Sequence, residues 1–219
     1  MLYVNLVGEA QVRLWGLSSQ ERLTRQIAHI GDARWITDLG DLPDEAAVLL
    51  IRGDYVTEVR TLERLLELTD TVLRDPSSGN PALAIVNAPK APQALALLRG
   101  DDEGLRKGLV TIEPAALGDY DERLRRAAPP LLEPITSDTQ TRLEDQLFGS
   151  AYKGITDLVT KWLWPRPVKQ VVHRLAEWRV TPNAVTTVGL VLMLLAGWLF
   201  LQGQFAFGLV IAWLMTFLD

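Results

Sequence analysis

Short apolar runs alternate with amphipathic ones through the first 150 residues. The runs at 2–7 (LYVNLV), 33–38 (ARWITD), 46–53 (AAVLLIRG), 82–88 (ALAIVNA) and 108–114 (GLVTIEP) are rich in β-branched and aliphatic residues, which predicts strands. Between the first two, SSQERLTRQIAHIG predicts a helix with Ser18 or Ser19 as cap and Gly31 as stop. A second helix is predicted over 59–74 (VRTLERLLELTDTVLR), where Leu62, Leu65, Leu66 and Val72 share one side. DPSSGN at 75–80 and RGDDEG at 99–104 predict turns. Strands and helices in alternation make this part an α/β layer fold.

The period changes at Leu143. Leu143, Leu147, Ala151, Ile155, Leu158 or Val159, and Trp162 recur every three or four residues, and the helix they predict breaks at WPRP. An apolar stripe with Trp162 and Trp164, flanked by Lys153, Lys161, Arg166 and Lys169, suits a helix lying in a membrane interface. Packing against the first domain would give the same periodicity, so both readings stay open. Val180 to Leu218 carries no charged side chain. Thr181 is placed to cap a helix and Pro182 to open it, and the apolar run to Leu201, counted from Pro182, reaches the roughly 20 residues of a membrane span. QGQ at 202–204 predicts a turn, and Phe205 to Leu218 a second, shorter apolar helix. The chain thus reads as an α/β domain over 1–140, amphipathic juxtamembrane helices over 141–180, and two transmembrane helices over 181–219.

Charge sharpens that division. Residues 1–150 carry a net charge of −8 and residues 151–219 a net +3. The cations between Lys153 and Arg179, with none beyond, mark the cytoplasmic side, so the first span runs outward and the second returns. Asp219 then arrives near the cytoplasmic third of the bilayer, where an acid is costly and marks a functional site. A residue snorkelling into water is the alternative. The chain has no cysteine, which removes disulfides and thiolate sites, and only His29 and His173 as histidines. The start MLYVNLVGEA has no basic region of a secretory signal, so the first domain is expected in the cytoplasm and the whole as a multi-pass protein of the cell inner membrane.

TPNAVT at the head of the first span, followed through the apolar stretch by FLD, resembles the start of a CDP-alcohol phosphatidyltransferase. That family's signature is D-x2-D-G-x2-A-R-x8-G-x3-D-x3-D, and Asp219 stands where its first Asp belongs. The resemblance covers roughly residues 143–219. It implies transfer of a phosphatidyl or other substituted phosphate group from a CDP-linked donor to an alcohol, with release of CMP and with Mg2+ or Mn2+. It makes Asp219 a metal ligand and places Asn183, Ala184, Val185 and Thr186 along the CDP-lipid site; the catalytic base would belong to the signature beyond residue 219. The implied partners are a lipid donor and an alcohol acceptor, with a homodimer as a known assembly of the family and no nucleic acid. The 219-residue chain is expected to be inactive alone.

The segment VNLVGEAQVRLWGLSSQERLTRQIAHIGDARWITD is similar in layout to the start of a sugar nucleotidyltransferase, whose first strand leads into a G-x-G-T-R-L loop and then a Pro-Lys pair. Gly8, Arg13 and Leu14 keep that frame, whereas Glu9, Gln11 and their neighbours replace the inner glycines and Glu21-Arg22 stands at the Pro-Lys position. Backbone N–H groups approach a triphosphate only where side chains are absent, and Glu9 adds a repelling charge. Gly53-Asp54 matches the family's metal-binding Gly-Asp at a strand end; a turn residue or helix cap is the other reading of Asp54. Fusion of such a domain to a phosphatidyltransferase membrane domain is a known arrangement, which implies a Rossmann-like, degenerate first domain. Two rival functions remain: a membrane-anchored CTP-dependent nucleotidyltransferase, and a non-catalytic anchored α/β binding module.

Overall fold

The computed structural model describes residues 1–40, 42–101, 107–118, 120–121, 126–127, 130–151 and 165–218, and divides into two compact units, Met1–Leu147 and Phe148–Asp219. In the first unit the order is β1 (Leu2–Glu9), α1 (Ser19–Ile30), β2 (Ala33–Trp35), β3 (Ala47–Gly53), β4 (Tyr55–Thr57), α2 (Val59–Leu65) and β5 (Thr71–Arg74). β6 (Pro81–Asn87), α3 (Ala91–Arg99), β7 (Val110–Ile112), β8 (Tyr120–Asp121), β9 (Arg126–Ala127), β10 (Leu132–Pro134) and α4 (Ser137–Ala151) follow. Six strands form one mixed sheet in the order β2-β1-β3-β6-β5-β7. β1 runs parallel to β2 and β3, β5 runs parallel to β7, and β6 is antiparallel to both its neighbours. β4 with β10, and β8 with β9, make two small antiparallel pairs.

The central strand explains the layering. Val48, Leu49, Leu50 and Ile51 of β3 are all fully buried, the continuous apolar run of a strand covered on both faces. Leu49 and Ile51 pack with Leu23 and Ile27 of α1 and Leu62 and Leu65 of α2. Val48 and Leu50 pack with Ala91, Ala94 and Leu98 of α3 on the opposite face. Each such side chain contributes about 1.5–3 kcal/mol over its exposed state. A third cluster joins Leu14, Val56, Leu131, Ile135 and Leu143, where the β1–α1 loop meets β4, β10 and α4.

Local chemistry sets several ends. Ser18 and Glu21 form a capping box at the start of α1, Ser18 Oγ accepting the Glu21 N–H at 3.2 Å and Glu21 Oε2 accepting the Ser18 N–H at 2.9 Å. Between β5 and β6 the fully buried Asp75 accepts from the Ser77 N–H at 2.9 Å and from the Ser77 and Ser78 hydroxyls at 2.8 and 2.6 Å, which closes the turn 75–80.

The helix expected over 59–74 is corrected: it ends at Leu65, and Thr71–Arg74 is a strand. Asp70 turns the chain with φ 51, its carboxylate held by Lys90 Nζ at 2.7 Å. Val72 and Leu73 then face opposite cores, and pairing with β6 and β7 overrides the helical spacing of the leucines before them. The strand expected at 33–38 is shorter, although Ile36 still donates its N–H to Val4 O at 2.9 Å. That at 108–114 narrows to Val110–Ile112 and gives way to a 3-10 turn at Pro114–Leu117. The helix carrying Leu143 begins earlier, at Ser137. Lys153, Ile155, Leu158, Val159, Lys161, Trp162 and Trp164 lie outside the described residues.

The second unit contains α5 (Pro165–Glu177), α6 (Pro182–Leu201) and α7 (Phe205–Leu218). Pro165 opens α5, a position where its missing N–H costs nothing. Thr181 Oγ1 caps α6 by accepting the Ala184 N–H at 3.3 Å, with Pro182 in the first turn. α6 has a mean hydropathy of 2.3 and, among the described residues, is the one helix long and apolar enough to cross a membrane; α7 has 14 residues. Gly203 turns the chain with φ 74, and α7 packs back on α6. Gly208 permits that approach, since a Cβ there would lie 2.6 Å from the Phe200 ring.

Candidate functional site at the carboxyl ends of the parallel strands

β1 lies between β2 and β3, so the chain leaves β1 toward one flank and enters β3 on the other. Such a switch point opens a crevice at the carboxyl ends of the strands, the usual ligand position of open α/β sheets. The crevice here has a volume of about 360 Å3 and is lined by Gly8, Glu9, Arg52, Asp54 and Arg99 over Val7 and Leu98. Two glycines shape it. β1 bulges between Val7 and Glu9 with Gly8 at φ 69, and a side chain on Gly53 would collide with Gly8 O. Ser19 Oγ joins the three elements by donating to Gly53 O at 2.6 Å and accepting the Ala10 N–H at 3.1 Å.

Asp54 is at the mouth of this crevice with both carboxylate oxygens engaged. Arg52 Nε donates to Oδ1 at 3.0 Å and Nη2 to Oδ2 at 2.5 Å. Arg52 Nη1 donates to Pro81 O at 3.4 Å, and the guanidinium lies 4.8 Å from the centre of the Tyr55 ring. The hydrogen bond to Asp54, outweighing burial, raises the Arg52 pKa, so this cation is permanent. A divalent metal on Asp54 would have to displace it, and among the described residues no three His, Asp or Glu side chains converge. The crevice therefore does not fit a divalent cation.

The loop at the glycine-rich position is folded away. Leu14 is buried in the cluster with Leu143, the Trp15 N–H (φ 50) donates to Glu144 Oε1 at 2.9 Å, and Gln140 Nε2 donates to Arg13 O at 2.8 Å. Glu144 is itself 6% exposed. The loop is thus latched to α4, and the Ala10, Leu14, Trp15 and Leu17 N–H groups are already bonded within the protein. Glu21 is engaged by the α1 cap, while Arg22 is buried and donates Nη2 to Tyr55 O at 2.9 Å; burial lowers its pKa to about 10. Glu9 and Gln11 are exposed.

No protein family matches the chain, and no curated protein matches it.

In the second unit, Asn183, Ala184, Val185 and Thr186 form the first turn of α6. Asn183, Ala184 and Thr186 are exposed, and Val185 is half-buried. The Thr186 hydroxyl donates to Pro182 O at 3.2 Å, and the backbone Asn183 O accepts from the Thr187 hydroxyl at 2.8 Å. Asp219 lies outside the described residues. His29 is exposed in the last turn of α1, and His173 Nδ1 is 3.5 Å from Glu177 on α5. Gly8, Gly53 and Asp54 stand out in the sequence pattern, whereas Arg52, Arg99, Gln140 and Glu144 do not. Arg52 could have been found two positions before Asp54, across a glycine at a strand end; the α4 pair carries no local signal.

Proposed function

We propose that the chain is the donor-facing part of a membrane CDP-alcohol phosphotransferase that acts in phospholipid synthesis. The observation that carries this reading is the exposed, capped first turn of α6, TPNAVT, at the head of a span-length apolar helix that α7 folds back upon. A helix amino terminus with the Asn183 amide and the Thr186 hydroxyl beside it favours the diphosphate of a CDP-linked donor. At about 1.5 Å per residue, α7 returns along roughly 21 Å of the roughly 30 Å of α6, which brings Leu218 within a few turns of Asn183. The family signature places its first carboxylate at the next residue, Asp219. A bound divalent cation would supply charge neutralisation for the diphosphate while an alcohol displaces CMP. The apolar faces of α6 and α7, with Leu194, Leu201, Phe205 and Leu209 exposed, suit lipid. The second unit would then sit in the inner membrane as a hairpin, with the first unit in the cytoplasm.

The latched β1–α1 loop and the Arg52-bound Asp54 argue for the first unit as a binding module and against CTP activation there. Membranes carrying the protein together with whatever sequence follows Asp219 in its gene should release CMP from a CDP-linked lipid in the presence of an alcohol and Mg2+, and Asp219→Asn should abolish that release. The reading fails if the Asp-Gly and Ala-Arg of the signature do not follow Asp219, or if Asp219→Asn is fully active.

A further inference from the structure

The crevice between β1 and β3 does not fit a divalent cation, yet it holds a cation of its own. Arg52 is fixed by two hydrogen bonds to Asp54, one to Pro81 O and the face of Tyr55. A guanidinium so anchored is pre-organised, and its Nη1 and Nη2 each keep an N–H that no acceptor among the described residues takes. Arg99 reaches the same crevice from the end of α3 and forms no ion pair among the described residues.

We propose that this crevice is a metal-independent site for a phosphate monoester, in which Arg52 occupies the place on Asp54 that a divalent cation would take. The phosphate accepts from the unused N–H groups of Arg52 and from Arg99, a planar donor geometry that suits phosphate oxygens. Val7 and Leu98 offer the ester carbon an apolar floor. Glu9 and Asp54 set the charge limit. With two carboxylates nearby, a triphosphate is repelled more than a dianionic monoester. Ligands sharing this chemistry include a nucleoside monophosphate and a polyol phosphate. The site uses no residue of α6 or α7, so it stands or falls apart from the phosphotransferase reading.

The test is calorimetric titration of the full chain in detergent micelles with CMP, glycerol 3-phosphate and CTP, each in EDTA and in MgCl2, with no lipid donor present. A monoester should bind saturably in EDTA, with affinity unchanged by Mg2+ and tighter than CTP. Arg99→Ala should weaken it by about tenfold, the scale of one charge-assisted contact. Arg52→Lys keeps the charge without the fork and should also weaken binding, whereas Arg52→Ala frees Asp54 and should make the remaining binding depend on Mg2+. Tighter CMP would assign a nucleotide ligand and tighter glycerol 3-phosphate a polyol phosphate. Absence of saturable binding by both monoesters, a Mg2+ requirement in the unaltered protein, or full affinity in Arg99→Ala overturns the proposal.

Discussion

Single side chains hold the crevice region together, and their removal should be measurable. Gly53→Ala forces a Cβ against Gly8 O where two strand ends meet, and should lower unfolding stability by about 1–3 kcal/mol in urea titrations. Glu144→Ala strips the acceptor from the Trp15 N–H and should cost about 1–3 kcal/mol, with loss of the α1-side loop's protection from hydrogen exchange. Asp75 sets a pH dependence. Burial pushes its carboxyl up, but the hydrogen bonds from Ser78 and Ser77 outweigh it and hold the group below the usual carboxylate range. Because the folded carboxyl is the stronger acid, its contribution is complete above the ordinary carboxylate pKa of about 4 and is lost as pH falls through the depressed value. Denaturant midpoints should therefore drop less steeply below about pH 4 in Asp75→Asn than in the unaltered protein. At this scale the sequence was readable where a partner is a few residues away. Ser18 stood with Ser19 as one of two cap candidates for α1, and Thr181 as the cap of α6, whereas the Trp15–Glu144 contact joins positions 129 residues apart and leaves no trace in spacing.

Among the elements, β1, α1, β3, β6 and the apolar helices followed from periodicity and end signals, because each is dictated by its own residues. α2 and β5 did not. The leucines of 62–66 set a helical rhythm that Val72 continued by coincidence, and only the left-handed turn at Asp70 and the two neighbouring strands make 71–74 extended. β4 and β10 escaped notice for a similar reason: each is three residues long and exists through the other. Between α6 and α7, Gly208 is the point of closest approach to Phe200. Gly208→Leu should push the two helices apart and lower the thermal midpoint of the detergent-solubilised protein, consistent with an overpacking cost of about 1–3 kcal/mol. An unchanged midpoint would mean that the hairpin is not packed on this face.

At the scale of the molecule, the chain divides near Leu147, close to where its charge turns from acidic to basic. On the proposed reading, the protein should remain with membranes through an alkaline carbonate wash, and deletion of residues 181–218 should release it; recovery of the intact chain in the soluble fraction would sink the membrane assignment. The mixed direction of the sheet was less legible, since nothing local tells β6 to run against β3 and β5. That reversal matters for the time course of folding. β1 pairs with β3 across some forty residues, Leu2 opposite Ala47, while β5 and β6 are joined by the turn that Asp75 closes. The entropy of ring closure is smallest for that hairpin, so it should form before the parallel half is assembled. Stopped-flow refolding of Asp75→Ala should accordingly be slowed while its unfolding rate stays close to that of the unaltered protein, making a solvent-hidden serine-capped turn the pacemaker of the whole sheet.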